Sequence, residues 1–317
     1  MRKLIIALAL SISAGSAYAN NVKKVYISQI VEHAALDATT KGIIDELEAQ
    51  GFKRGKNLDL RVESAQGSNL LAAQIASKFV STNPDVVVGV GTSSAQSLLK
   101  YAIDNKVKLV FSSVTDPVSA SITGNNTSGV SNFVALEPQL ELFKKLQPKL
   151  KRFGILYNPG ELNSVSIIQK LEILCPKFDL ILVKQAASKT ADIVQSATKL
   201  ASEVDAILIS NDNTALSAIQ SVVLAANKAK IPVYVSDVDA VELGCVAALG
   251  PNQYQVGLQT GAMIARVLNG EDVNQMSVEF PSKTELYLNF DAAKINGIVI
   301  PDDLKAGVTR VIEKTRS

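Results

Sequence analysis

The stretch Asp85-Val-Val-Val-Gly-Val-Gly-Thr-Ser-Ser94 limits the possible fold more than any other in the chain. It begins as an apolar, β-branched run, reaches Gly89 and Gly91, and turns polar at Thr92-Ser-Ser94 before the helical pattern Ala95 to Ile103. That order reads as a buried strand, a tight turn and a helix. The turn leaves backbone N–H groups unpaired at a helix N-terminus with hydroxyls beside them, so an anionic group could be held there without a lysine or arginine.

Much of the chain repeats this plan. Lys23 to Ile30 reads as a strand and Ala35 to Gln50 as a helix stopped by Gly51. Leu58 to Glu63 is a second strand, Asn69 to Val80 a helix with Leu71, Ile75 and Phe79 at helical spacing, and Lys108 to Ser112 a fourth strand. Strands separated by helices of this length imply parallel βαβ units. After a loop signal at Asn125 to Gly129 the alternation resumes. It gives strands at 152–157, 180–183, 206–209, 232–235 and 246–249, with helices at 138–146, 164–174, 191–202 and 215–228. The tail offers a helix over 253–268, two strands near 277–280 and 285–290, and a final helix over 302–314.

The fold class expected is α/β: two Rossmann-like lobes with parallel sheets. The economical arrangement sends the 253–268 helix back to the first lobe and the last strand and helix to the second, so several crossings form a hinge. The division is then 1–19 as a signal peptide, 20–133 plus 252–282 as lobe 1, and 134–251 plus 283–317 as lobe 2.

The N-terminus explains the first part of that division. Arg2 and Lys3 precede the apolar run Leu4 to Leu10, and Ala17-Tyr-Ala19 is a small-x-small cleavage site, the pattern of a secretory signal peptide. Cleavage after Ala19 would leave a soluble exported protein, with a periplasm as its natural destination. The apolar run is too short for a spanning helix, which needs about 20 residues. The chain carries 32 Lys+Arg and 30 Asp+Glu; without Arg2 and Lys3 it balances at 30 against 30. A nucleic-acid binder shows a basic excess, and none is visible. Cys175 and Cys245 could pair in an oxidising compartment, but their positions have no spacing logic and lone buried thiols are the simpler expectation.

In open parallel sheets ligands bind beyond the carboxyl ends of the strands. Those ends read Gln29 to His33, Ser64-Ala-Gln66, Gly91 to Ser94, Thr115-Asp116, Asn158, Asn211 to Thr214 and Ser236-Asp237. They are hydroxyls, amides and acids with one histidine. Helix caps favour Ser, Thr, Asp and Asn in any case, yet Asn211-Asp-Asn-Thr214 offers more polar groups than one cap needs. Catalytic readings find little support. There is one histidine, no Gly-x-Ser-x-Gly elbow, no metal-ligand spacing and no Gly-Lys-Ser/Thr phosphate loop, so neither enzyme, metal nor cofactor is expected. Gly89-x-Gly91-x-x-Ser94 lacks the third glycine of a dinucleotide fingerprint.

Ile30-Val-Glu-His-Ala-Ala-Leu-Asp37, Gly55-Lys-Asn57, Ala65-Gln-Gly67, Ser113-Val-Thr-Asp-Pro117, Gly154-Ile-Leu-Tyr-Asn158, Asp212-Asn-Thr214 and Gln259-Thr-Gly261 occur in order over nearly the whole mature chain. Together they resemble the ABC-importer substrate-binding family of the tryptophan/tyrosine-binding type. The resemblance implies a type I periplasmic binding fold and a monomer that delivers ligand to a membrane permease driven by an ATPase. It puts His33, Thr92, Ser93, Thr115 and Asp116 on the first lobe's side of a cleft, and Asn158, Asp212, Asn213 and Asp237 on the second. This set suits a free amino acid, with hydroxyls and helix amides for its carboxylate and Asp237 or Asp212 for its ammonium. Tyr26, Phe111, Phe133 and Tyr157 could line a side-chain pocket, although aromatics at strand positions are commonly core. A nucleoside, a sugar or another neutral polar ligand, or a sensor role, fits the same fold.

Overall fold

The computed structural model describes residues 22–315, so the expected signal peptide lies outside the described residues. Two sheets organise the chain. The first holds β1 (Lys23–Gln29), β2 (Leu58–Ser64), β3 (Val86–Val90), β4 (Lys108–Val114) and β5 (Thr127–Ser131), all parallel, in the order β2-β1-β3-β4-β5. Between them run α1 (Ala34–Ala49), α2 (Asn69–Val80) and α3 (Thr92–Asn105). β3 is buried along its whole length, as its unbroken apolar run requires of a parallel strand covered on both faces.

The second sheet is larger. Its members are β6 (Arg152–Tyr157), β7 (Ile181–Ala186), β8 (Ala206–Ile209), β9 (Val233–Val235), β10 (Ala247–Gly250), β11 (Glu285–Asn289) and β12 (Arg310–Ile312). They lie in the order β12-β11-β10-β9-β8-β6-β7, parallel except for the β10–β11 pair. Its helices are α4 (Leu136–Leu146), α5 (Leu162–Leu174), α6 (Ile193–Ala201), α7 (Asn213–Ser217), α8 (Ile219–Lys228), α10 (Phe290–Ile295) and α11 (Asp302–Lys305). A stacked Phe143–Tyr234 pair, with centroids 4.4 Å apart, sits in its core. Cys175 and Cys245 are free, buried and in separate apolar clusters of this sheet.

One helix, α9 (Gln253–Leu268), follows β10 but packs on α1 of the first sheet. The contact is made backbone to backbone. A Cβ at Gly257 would stand 2.2 Å from the Thr39 carbonyl oxygen, and one at Gly42 would stand 2.3 Å from that of Tyr254. The chain therefore passes between the sheets after β5, again after β10, and a third time between α9 and β11. Those passages are what join the two halves.

Three sequence expectations are corrected. The 302–314 segment is one helical turn, α11, followed by β12; past Gly307 the β-branched Val311 and Ile312 pair alongside β11 instead of continuing a helix. The 125–129 loop runs into β5, whose small residues suit a tight pairing, since a Cβ at Gly129 would meet the Phe111 carbonyl oxygen at 2.2 Å. The 277–280 strand is reduced to an isolated bridge between Glu279 and Val130.

Gly257→Ala is expected to lower stability by about 1–3 kcal/mol or more, because the new methyl meets backbone that cannot rotate away. Gly307→Ala, with open space around the glycine, is the matched control and should change stability little. Urea denaturation of both variants checks this; equal midpoints would show that the helices part easily.

Candidate ligand-binding site

Strand order reverses at β1/β3 in the first sheet and at β6/β8 in the second. At such reversals the following loops leave in opposite directions and open a crevice. The segments after these four strands, loops and the first turns of the helices they lead into, carry His33, Thr92, Asn163 and Asn211 with Asn213, and all of them line one cavity. Ser113 near the end of β4, Thr115 just after it, Asn132 in the first crossing, Asp237 after β9 and Gln253 at the start of α9 complete its polar wall. Its apolar wall is Ala35, Leu36 and Leu216. The space left is about 10 Å³, room for about one water.

On the first sheet's side the wall is built of neutral polar groups. Gly91 caps α3 with φ +87°, and a Cβ there would stand 2.8 Å from Ile30 Cγ2, so glycine is required twice over. The first-turn N–H groups of α3 precede any intrahelical acceptor, and Thr92 opens that turn. Gln253 is fixed by Ser113, whose hydroxyl donates to its Oε1 at 2.9 Å.

On the second sheet's side acceptors and carboxylates collect. Glu161 is buried and receives five hydrogen bonds, from Asn163 Nδ2, from the backbone N–H and Nδ2 of Asn213, and from the backbone N–H and Oγ1 of Thr214. Asn213 has its amide nitrogen committed to Glu161, so its Oδ1 accepts from His33 Nε2 at 3.2 Å. Burial lowers the His33 pKa and keeps the ring neutral. Asp237 is fully buried; its Oδ1 accepts the Asp239 N–H at 3.0 Å, and burial together with the Asp239 charge holds its carboxyl well above the usual range. Asp239 is pushed up to about 6, chiefly by burial, while its Oδ2 accepts the Gln253 N–H.

The two walls touch directly. Besides His33 and Asn213, Asn211 Nδ2 donates to Thr115 Oγ1 at 3.3 Å and to the Asn132 carbonyl oxygen at 3.2 Å. Outside the cavity Asp116 accepts from Lys170 Nζ at 2.9 Å and Ser166 Oγ at 3.0 Å, both on α5. The two halves are closed on each other.

Of the residues expected from the sequence, His33, Thr92, Thr115, Asn213 and Asp237 line the cavity, while Ser93, Asp116, Asn158 and Asp212 do not. Ser93 is buried in the first turn of α3. For Asp116, burial alone would raise the pKa, but the Ser119 N–H, Lys170 and Ser166 outweigh it and hold the carboxyl far below the usual range. Asn158 and Asp212 serve the second half's own framework. Asp212 accepts from the Asn158 N–H and Ser164 Oγ at 2.6 Å each, and caps α7 through the Ala215 N–H at 2.7 Å. None of the four aromatics reaches the cavity. Tyr26 is core and its hydroxyl donates to Asp59, Phe111 is core, Tyr157 packs against the second core, and Phe133 stands at the surface edge-on to Phe280.

This is a two-lobed binding protein with a polar cavity between the lobes. The chain belongs to the ABC transporter substrate binding protein family, whose model matches residues 24–312. A tyrosine-binding protein of Clostridioides difficile (strain R20291) is 33% identical over 278 residues, which cover 86% of this chain and 80% of the relative. Among solved structures, the ABC domain in complex with L-Trp from Streptococcus pneumonia is 31% identical, with a TM-score of 0.87 over 92% of this chain and 99% of that one. The ligand-free, open structure of a substrate binding protein with adhesive properties from Clostridium difficile is 34% identical, with a TM-score of 0.67 over 93% and 100% of the two chains. At near-equal identity this chain superposes better on the complex than on the open form, in keeping with its cross-lobe bonds. The fold is the two-lobed type I periplasmic binding fold, and the family binds substrate without transforming it, so the chain is not an enzyme.

Burial, followed by the Glu161 charge, pushes Asp212 up to about 7 despite its three hydrogen bonds. A carboxyl raised above its unfolded value near 3.8 contributes stability that is complete below that value and is lost as pH rises towards 7. Relative to Asp212→Asn, the wild type should therefore lose stability between pH 4 and 7, by roughly 4 kcal/mol at most. Urea titrations across that range check the slope; parallel curves would remove the shift.

Proposed function

We propose that the protein is the periplasmic solute-binding component of an ABC importer and closes its two lobes on a free L-amino acid with an aromatic side chain. The lobes divide near 133–134, 251–252 and 282–283, and bending at these crossings opens and shuts the cleft. The observation that carries the reading is the opposition of the two cavity walls. One offers hydroxyls and the amides of a long helix, and the other offers Asp237 together with Asn163 and Asn213, whose amides donate to the buried Glu161. A zwitterion has the matching polarity, with its carboxylate towards Thr92 and the α3 amides and its ammonium towards Asp237.

The aromatic assignment is supported by the tyrosine-binding relative and the L-Trp complex, and Leu36 with Leu216 would take the ring. A cavity with room for about one water admits such a ligand only after the lobes part, so binding is opening, capture and reclosure. The closed arrangement already makes its own cross-lobe bonds, and ligand adds to them. Delivery to a permease and its ATPase follows from family membership, and export agrees with the N-terminal sequence. No described helix is long and apolar enough to cross a membrane. A nucleoside or sugar is the second reading, favoured by the neutral hydroxyl and amide side chains that make up most of the lining.

Isothermal calorimetry with the amino-acid set is expected to give micromolar or tighter binding for phenylalanine, tyrosine or tryptophan, about −8 kcal/mol or better. Asp237→Ala should weaken it about 30-fold or more, since removing one partner of a buried charge pair costs at least about 2 kcal/mol. No heat with the three aromatics, and heat with a nucleoside or sugar, would replace the first reading with the second.

A further inference from the structure

We infer that Asn163 is a direct ligand contact, its side-chain Oδ1 accepting an N–H of the ligand's ammonium on the wall backed by Glu161. The inference rests on the amino-acid reading and names a residue that strand-end chemistry does not point to. Three side-chain polar atoms among the described residues are buried without a hydrogen-bond partner: Asn163 Oδ1, Ser210 Oγ and Asn296 Oδ1. Only the first belongs to a residue of the cavity. Asn163 is 3% exposed, so bulk water does not serve it, and an unserved buried acceptor costs about 1–3 kcal/mol. A ligand donor would remove that cost.

The orientation of the amide is fixed by its surroundings. Asn163 Nδ2 donates to the Asn211 carbonyl oxygen at 2.6 Å and to Glu161 Oε2 at 3.0 Å. Turning the amide over would set its oxygen against those two acceptors, so the nitrogen must face them and the oxygen is the free end. The free end therefore calls for a donor, which a ligand carboxylate cannot supply.

Charge selects among donors. Glu161 is buried, its five hydrogen bonds come from neutral amides and a hydroxyl, and no lysine or arginine nitrogen of the described residues lies within 4.0 Å of it. A buried charge met by dipoles alone is costly, and a cation arriving nearby offsets part of that cost. Asn163 and Asn213 stand between this carboxylate and the cavity, so a donor reaching Asn163 Oδ1 enters a field that favours positive charge. An ammonium satisfies both conditions, whereas a phenol or indole donor satisfies only the first.

The test compares each aromatic amino acid with its deaminated acid, for example L-phenylalanine with 3-phenylpropionate, on wild type and Asn163→Ala, the weaker acid being measured by displacement calorimetry. Asn163→Ala is expected to weaken the amino acid tenfold or more and the deaminated acid less than threefold. Equal losses for both would make Asn163 a framework residue and overturn the inference. A crystal structure of the wild-type complex gives a second reading that does not depend on the variant folding. The ammonium nitrogen should lie about 2.7–3.2 Å from Asn163 Oδ1, and a phenol or carboxylate group in its place would refute the assignment. If wild type binds none of the amino acids, the zwitterion reading itself fails; if it binds them and the losses are equal, only the role of Asn163 fails.

Discussion

The backbone contact between α1 and α9 is the constraint on which the architecture depends. Gly42 and Gly257 let the two helices approach until either Cβ would overlap a carbonyl oxygen of the other helix. That contact draws the chain out of the second sheet after β10 and back to the first, and from there it must return once more to complete β11 and β12. A chain that crossed once would be two domains on a tether. Three crossings tie the two halves together more closely than a single tether would.

The cleft that results is electrically lopsided. Lobe 1 contributes dipoles with their positive ends inward, and lobe 2 contributes buried carboxyl groups held by neutral donors. Across the cleft polar groups pair with one another, as His33 does with Asn213 and Asn211 with Thr115. Burial demands such pairing, because each group left alone would cost desolvation energy with no return. Asn163 Oδ1 is the exception on the cavity wall. Neighbouring Asp212 and Glu161 tie the loops after β6 and β8 into a single unit, and Asn163 makes its hydrogen bonds within that unit.

How much of this could be read from the chain is best judged residue by residue. The Val86–Val90 run and the glycines after it specified a buried parallel strand and a tight turn, since periodicity and φ > 0 are local properties. His33, Thr92, Thr115, Asn213 and Asp237 were legible because polar residues at the ends of parallel strands tend to meet. Asp212, Asp116 and Asn158 occupy equally suggestive places, yet their side chains turn to a cap, to α5 and to the second lobe's own loops. Residue type does not disclose the direction in which a side chain points. Asn163 is the second residue of α5, and Asn132 and Gln253 lie on the crossings, where strand periodicity does not mark them. Tyr26 and Phe111 went to the core because apolar area is worth more there than at a water-facing cleft.

The two thiols have a consequence for the protein's chemistry. Cys175 and Cys245 lie in different apolar clusters, and burial raises the first to about 11 and the second further still. Thiolate is the reactive form in disulfide exchange, and at neutral pH almost none is present at either position. Neither thiol is thus poised for disulfide exchange in the folded protein, and the cleft owes nothing to a disulfide.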